Sequence, residues 1–155
     1  MKKRIVIAIL AVLLTVSAHA QTTDSGKYVP NPNEEIYGTW TNKMDPIPHM
    51  LIVTAATRKV FLNTTDSDPM EESTFFIDSK WTDASGNLCY KTFGTNTAGF
   101  YQGLRWQGLE RINKAGTVKE SQTLLIGHND FDPGKYPAEL DPKNPTYKIY
   151  YRSAG

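Results

Sequence analysis

Glu35-Ile36-Tyr37-Gly38-Thr39-Trp40-Thr41-Asn42 is the stretch that decides how this chain is read. It follows a Pro/Asn-rich lead-in and precedes a long series of strand-like segments. Gly38 has no Cβ and lets the backbone bend tightly into a first strand. Trp40, two residues on, offers one of the largest areas a single side chain can bury. The remaining segments read as strands arranged around it.

Residues 38–44 predict the first strand, and Pro46 and Pro48 end it, because two prolines this close cannot both sit in a paired ladder. Residues 50–54 and 59–63 are short apolar runs and read as a hairpin. Residues 64–72 form an acidic loop. Residues 73–81 alternate, with Phe75, Ile77 and Trp81 on one face and Asp78 and Lys80 on the other. Asp83-Ala84-Ser85-Gly86-Asn87 is turn chemistry, and residues 88–93 return. Residues 94–99 read as a loop. Residues 100–112 read as a strand bent at Gly103 and Gly108. After a turn at 113–116 comes a strand over 117–126. A long irregular stretch over 127–144 leads to a closing aromatic strand over 145–152. Helical periodicity is absent after residue 20, and so are repeats of solenoid length. About eight short strands, with turn signals about every ten residues, indicate an all-β sandwich or barrel.

The chain opens on Met1-Lys2-Lys3-Arg4, then an apolar run over 5–16, then Ala18-His19-Ala20. A positive start, a short apolar run and small residues at the cleavage point read as a secretory signal peptide over 1–20. The run is shorter than the roughly 20 residues a bilayer requires, so no stable membrane anchor is expected after signal removal. The expected location is outside the cytoplasm, periplasmic or secreted. Residues 21–34 are polar, contain Pro30 and Pro32, and read as a flexible N-terminal arm. Residues 35–155 are the size of one domain. The single cysteine, Cys89, excludes an intramolecular disulfide, so packing must supply the stability. The net charge of +1 falls to about −2 without Lys2, Lys3 and Arg4. Nucleic acid is therefore not an expected partner.

Gly38-Thr39-Trp40 at the start and Tyr147-x-Ile149-Tyr150-Tyr151-Arg152 at the end resemble a bacterial exported lipocalin-like (calycin-type) β-barrel protein. The hairpin over 80–87 also resembles small exported barrels of that group. The resemblance implies an antiparallel up-and-down barrel of about eight strands. In it Trp40 plugs the closed end, and Arg152 packs across Trp40 to seal the closure between the first and last strands. It also implies a cup for a small, mostly apolar molecule.

The residues themselves offer little catalytic chemistry. Gly-x-Ser-x-Gly, His-Glu-x-x-His and the phosphate-loop pattern are all missing. His128-x-Asp130-x-Asp132 offers metal-type ligands, but the surrounding Asn-Asp-Phe-Asp-Pro-Gly is ordinary turn chemistry, and His49 is distant in sequence. No metal, cofactor or enzymatic activity is expected. Cys89, between Leu88 and Tyr90, reads as a packed small hydrophobe. The expected ligand-binding wall is Phe75, Ile77, Trp81, Tyr90, Trp106, Tyr147, Ile149 and Tyr151, with the Tyr90 and Tyr147 hydroxyls orienting a ligand and no charge inside. The expected function is non-enzymatic binding of a small apolar or amphipathic molecule. The alternative is a protein-binding, protease-inhibitor-like barrel that uses its N-terminal arm and loops.

Overall fold

A computed structural model describes residues 28–43, 48–128, 132 and 134–154, and among these the alternating segments form nine strands. They are β1 (Gly38–Asn42), β2 (His49–Val53), β3 (Thr57–Phe61), β4 (Glu71–Thr74), β5 (Phe76–Thr82), β6 (Leu88–Ala98), β7 (Arg105–Ile112), β8 (Val118–Gly127) and β9 (Lys148–Arg152). The signal-peptide reading of 1–20 and the arm over 21–27 lie outside the described residues, as does Asp130.

Every pairing is antiparallel. The order β4-β3-β2-β1-β9-β8-β7-β6 returns to its start through a β4–β6 pairing, so eight strands close a ring. The ninth, β5, continues from β4 along β6 after a break at Phe75. At that break the Phe75 N–H donates to the Ala56 carbonyl (3.0 Å) and the Thr95 N–H donates to the Thr74 hydroxyl (2.9 Å). Both N–H groups are thus paired where the strand changes partners. The expected all-β, up-and-down barrel of about eight strands is met, and its architecture is consistent with a lipocalin-like fold.

Closure rests on β1 against β9, with Trp40 opposite Arg152. Turn chemistry closes the hairpins. Asp83 accepts from the N–H groups of Ser85 and Asn87 (3.0 and 2.9 Å) between β5 and β6. Asn113 accepts from Thr117 and Val118 (2.8 and 2.9 Å) between β7 and β8. One boundary differs from the sequence reading. Residues 94–98 are not a loop but the far end of β6, whose Gly94 pairs with Trp106 and Thr95 with Arg105. Gly94 suits that strand because a Cβ there would lie 2.0 Å from the Thr74 carbonyl oxygen. The turn comes later, at Gly99 and Gly103, both with positive φ, and β7 starts only at Arg105.

Strand parity and register define the barrel's inner wall. From β6 across β7 and β8 to β9, one inward row is Leu88, Ile112, Lys119 and Tyr150. The next is Tyr90, Glu110, Ser121 and Lys148. The closed end is filled by Ile36, Trp40, Leu51, Val53, Tyr90 and Ile112, all essentially buried. Trp40 donates its indole N–H to the Ile36 carbonyl (3.0 Å), which satisfies its one polar group in the core.

Candidate functional site

A buried cluster around Trp40 fills the closed end of the barrel, and a cavity opens above it. The cavity, about 330 Å³, is walled by inward positions of seven strands and by Tyr101, Pro145 and Thr146 from the loops. The inward residues are His49 on β2, Arg58 and Val60 on β3, Glu71 on β4, Asn96 on β6, Trp106 on β7, Ser121, Thr123 and Leu125 on β8, and Lys148 and Tyr150 on β9. After β8, Asp132 and Asp141 are held against the outside of the barrel: Gln107 donates to the Asp132 carbonyl (2.8 Å), and Gln122 accepts from the Asp141 N–H (2.8 Å).

The interior is charged, which corrects the expectation of an uncharged cup. Under the cavity, Lys119 and Glu110 form an ion pair at 3.0 Å with side chains 0 % and 5 % exposed. The Lys119 ammonium lies 5.1 Å from the Trp40 ring centre and 5.2 Å from that of Tyr150, and Glu110 accepts from the Thr92 hydroxyl (2.9 Å). Burial disfavours the Glu110 carboxylate, but the Lys119 charge outweighs it and holds the group below the usual carboxylate range. Burial lowers Lys119 below an ordinary lysine, and Glu110 opposes that fall. Higher in the barrel, the Arg58 guanidinium lies 5.1 Å from the Trp106 ring centre and 3.5 Å from the Glu71 carboxylate. Room for the Trp106 ring comes from Gly94, where a Cβ would meet the ring at 2.9 Å, while a Cβ on Gly108 would touch it at an ordinary 3.5 Å.

Two buried polar atoms of the lining, Asn96 Oδ1 and Trp106 Nε1, and Ser73 Oγ on the residue paired with Asn96, have no hydrogen-bond partner among the described residues. Such groups are uncommon in folded proteins, because each forfeits its bonds to water on burial.

Of the residues expected to form the wall, Trp106 lines the cavity. Phe75 and Ile77 are buried below it, with Phe75 6.2 Å from Trp106 between ring centres. Tyr90 is buried at the closed end, where its hydroxyl donates to Glu34 (3.2 Å) and Glu35 (3.0 Å). The others lie outside the barrel. A bulge between Ile77 and Ser79 shifts the parity of β5, so Lys80 turns in beside Tyr90. Trp81 joins an outer row with Cys89, Arg111, Glu120 and Ile149. On β9 the inward place belongs to Tyr150, which is buried, while Ile149 and Tyr151 are exposed. Tyr147 donates to Glu120 on the outer face (2.6 Å). Arg152 lies over Trp40 and caps the closed end. Asp132 makes an Asx turn with the Gly134 N–H (2.9 Å), and no cluster of metal-ligating side chains occurs among the described residues.

Sequence reasoning missed Arg58, Glu71, Asn96, Glu110, Lys119 and Tyr150. Their strands carry polar residues at both parities, as in Val118-Lys119-Glu120-Ser121, so alternation alone does not reveal which side faces in. Charged strand residues ordinarily face water. The signal that was available is the register fixed by Trp40. Once Trp40 faces in, Arg152 and Tyr150 on the neighbouring strand do too, and Lys119 follows from Tyr150. Comparison with family models, curated proteins and solved structures finds no match to this chain.

Proposed function

We propose that this chain is an exported, non-enzymatic binding protein of the lipocalin-like kind, working in the periplasm or outside the cell. It holds a small amphipathic molecule in the upper half of its barrel. The observation that carries this reading is the 330 Å³ cavity above the buried cluster at the closed end of the barrel. Its size is at the lower end of the range typical for small-molecule pockets. Its lining combines aromatic and aliphatic surface with a few buried polar groups that lack protein partners. Native mass spectrometry of the protein purified from its own host is the direct test, expected to show a retained small molecule. Titration with aromatic and fatty-acid probes should quench Trp106. A mature protein that carries nothing and quenches with no probe rules the reading out.

The protein-binding alternative draws support from the rim, where Phe100 is 93 % exposed beside Tyr101. The described end of the arm is engaged elsewhere. Glu34 and Glu35 accept from Lys80 (2.8 and 2.7 Å) and tie the chain to the closed end.

A further inference from the structure

We propose that the cavity selects organic anions and seats the anionic head, a carboxylate in the simplest case, on Arg58. The inference rests on the cavity-binding reading above and adds the chemical class of ligand. Three observations converge on one patch of wall.

The first is register. Arg58 on β3 pairs with Ser73 on β4, and Ser73 pairs with Asn96 on β6. On the next strand Trp106 pairs with Gly94, two residues before Asn96 on the same face. Arg58, Ser73 and Asn96 therefore follow one another in register on the inner surface, and Trp106 lies one inward position nearer the closed end.

The second is hydrogen-bonding capacity. Ser73, Asn96 and Trp106 are 1 %, 3 % and 4 % exposed, so water does not satisfy them freely. Trp Nε1–H is a donor only and a serine hydroxyl can donate, whereas the unpartnered atom of Asn96 is its acceptor oxygen, which suits a donor on the ligand rather than the anionic head. The Arg58 side chain is 15 % exposed and presents five N–H donors. Its carboxylate neighbour, Glu71, touches it through one contact at 3.5 Å, the outer limit of a hydrogen bond. Tyr150 provides a second neighbour. Most of the guanidinium fork thus remains available for the bidentate geometry a carboxylate prefers.

The third is charge. Lys119 and Glu110 neutralise each other beneath the cavity. The remaining charges on the lining are Arg58, Lys148 and Glu71, a surplus of one positive charge in a partly enclosed space. Leu125, Val60 and the Tyr101 ring lie on the wall above and suit a flat or short apolar body.

The test is calorimetric titration of the full mature chain with 2-naphthoate and with 2-naphthamide, which share a body and differ in charge. Wild type should bind the carboxylate tighter by about tenfold or more, as expected for charge-assisted over neutral hydrogen bonds. Arg58→Met should bring the carboxylate down to the affinity of the amide while leaving the amide unchanged. Trp106→Phe keeps an aromatic ring, though a smaller one, and removes the donor. It should weaken the carboxylate several-fold, and it keeps the test alive if Arg58→Met does not fold. Equal binding of the two probes by wild type overturns the anion inference but leaves the cavity reading standing. Carboxylate selectivity untouched by either substitution also overturns it, since the head then sits elsewhere. Failure of both probes, with no quenching by any other, overturns the cavity reading and the inference together.

Discussion

The guanidinium of Arg152 stands 4.1 Å from the centre of the Trp40 ring while donating to three backbone carbonyls, those of Glu35, Tyr37 (3.0 Å) and Gly116 (2.8 Å). One side chain thus joins the entry segment, the plug and the β7–β8 turn. Trp40→Ala is expected to lose about 3–5 kcal/mol, as for a buried aromatic truncation. Arg152→Met keeps some apolar cover and should lose about 1–2 kcal/mol through the carbonyl bonds and the cation–π contact. Urea unfolding followed by tryptophan fluorescence measures both.

Gly94→Ala tests the crossing of β4 over β6. Its Cβ would lie 2.0 Å from a backbone oxygen, so the strands must separate. A loss of about 3 kcal/mol or more, or failure to fold, is expected. Gly116→Ala is the control. It has φ of 73° but nothing within 4 Å, so only the backbone term of about 1 kcal/mol applies. Similar losses from both would contradict the steric account.

The Glu34–Lys80–Glu35 cluster should give stability a defined pH window. Burial raises both carboxyl groups, but the Lys80, tyrosine and backbone hydrogen bonds win and leave them below 4.5. Their contribution is therefore full above the ordinary carboxylate range and drains away as pH falls through the lower native values. Burial lowers Lys80, but the two carboxylates win and raise it above 10.5. Its share holds below that value and is lost as pH climbs through the native one. Lys80→Met should consequently destabilise strongly near neutrality, and its deficit should shrink in acid, where Glu34 can take up a proton. A deficit independent of pH between about 3 and 7 would refute this linkage.

Cys89 is buried, and burial pushes its thiol above the ordinary value, helped by the nearby Asp83 carboxylate. An aromatic disulfide reagent at pH 8 should label it slowly in native protein and rapidly in urea. Rapid native labelling would mean that the outer row around Trp81 opens.

Removing one partner of the Lys119–Glu110 pair leaves an isolated charge in the core. Lys119→Met should lose about 3–5 kcal/mol, and the double variant Lys119→Met/Glu110→Leu should recover much of it. Denaturant midpoints of the two variants compare directly, and a double variant weaker than the single one would count against the pair as the source of the loss.

The strand order and closure were legible because turn residues punctuate the chain and Trp40 with Gly38 marks its entrance. Phe75 and Ile77 were read inward correctly from alternation. Trp81 was not, because one extra residue at Ile77–Ser79 reverses parity, and no residue type announces a bulge there. Gly94 looked like a loop residue because glycine usually marks one. Here it marks a place where backbone and an indole crowd in together. The charged interior was hidden for a different reason. A lysine at an inward position is tolerated only with Glu110 and two aromatic rings around it, and that company comes from three other strands, two of them, β1 and β9, far from Lys119 in sequence.

The cavity runs down β8 from Leu125 to Ser121 and reaches Tyr150, whose ring lies 5.2 Å from the buried Lys119 ammonium, and Trp40 lines no part of it. Its finite depth then works as a gauge. Along a series of straight-chain guests, each added methylene should strengthen binding by about 0.8 kcal/mol until the tail reaches the rim at Tyr101, and further carbons should add little.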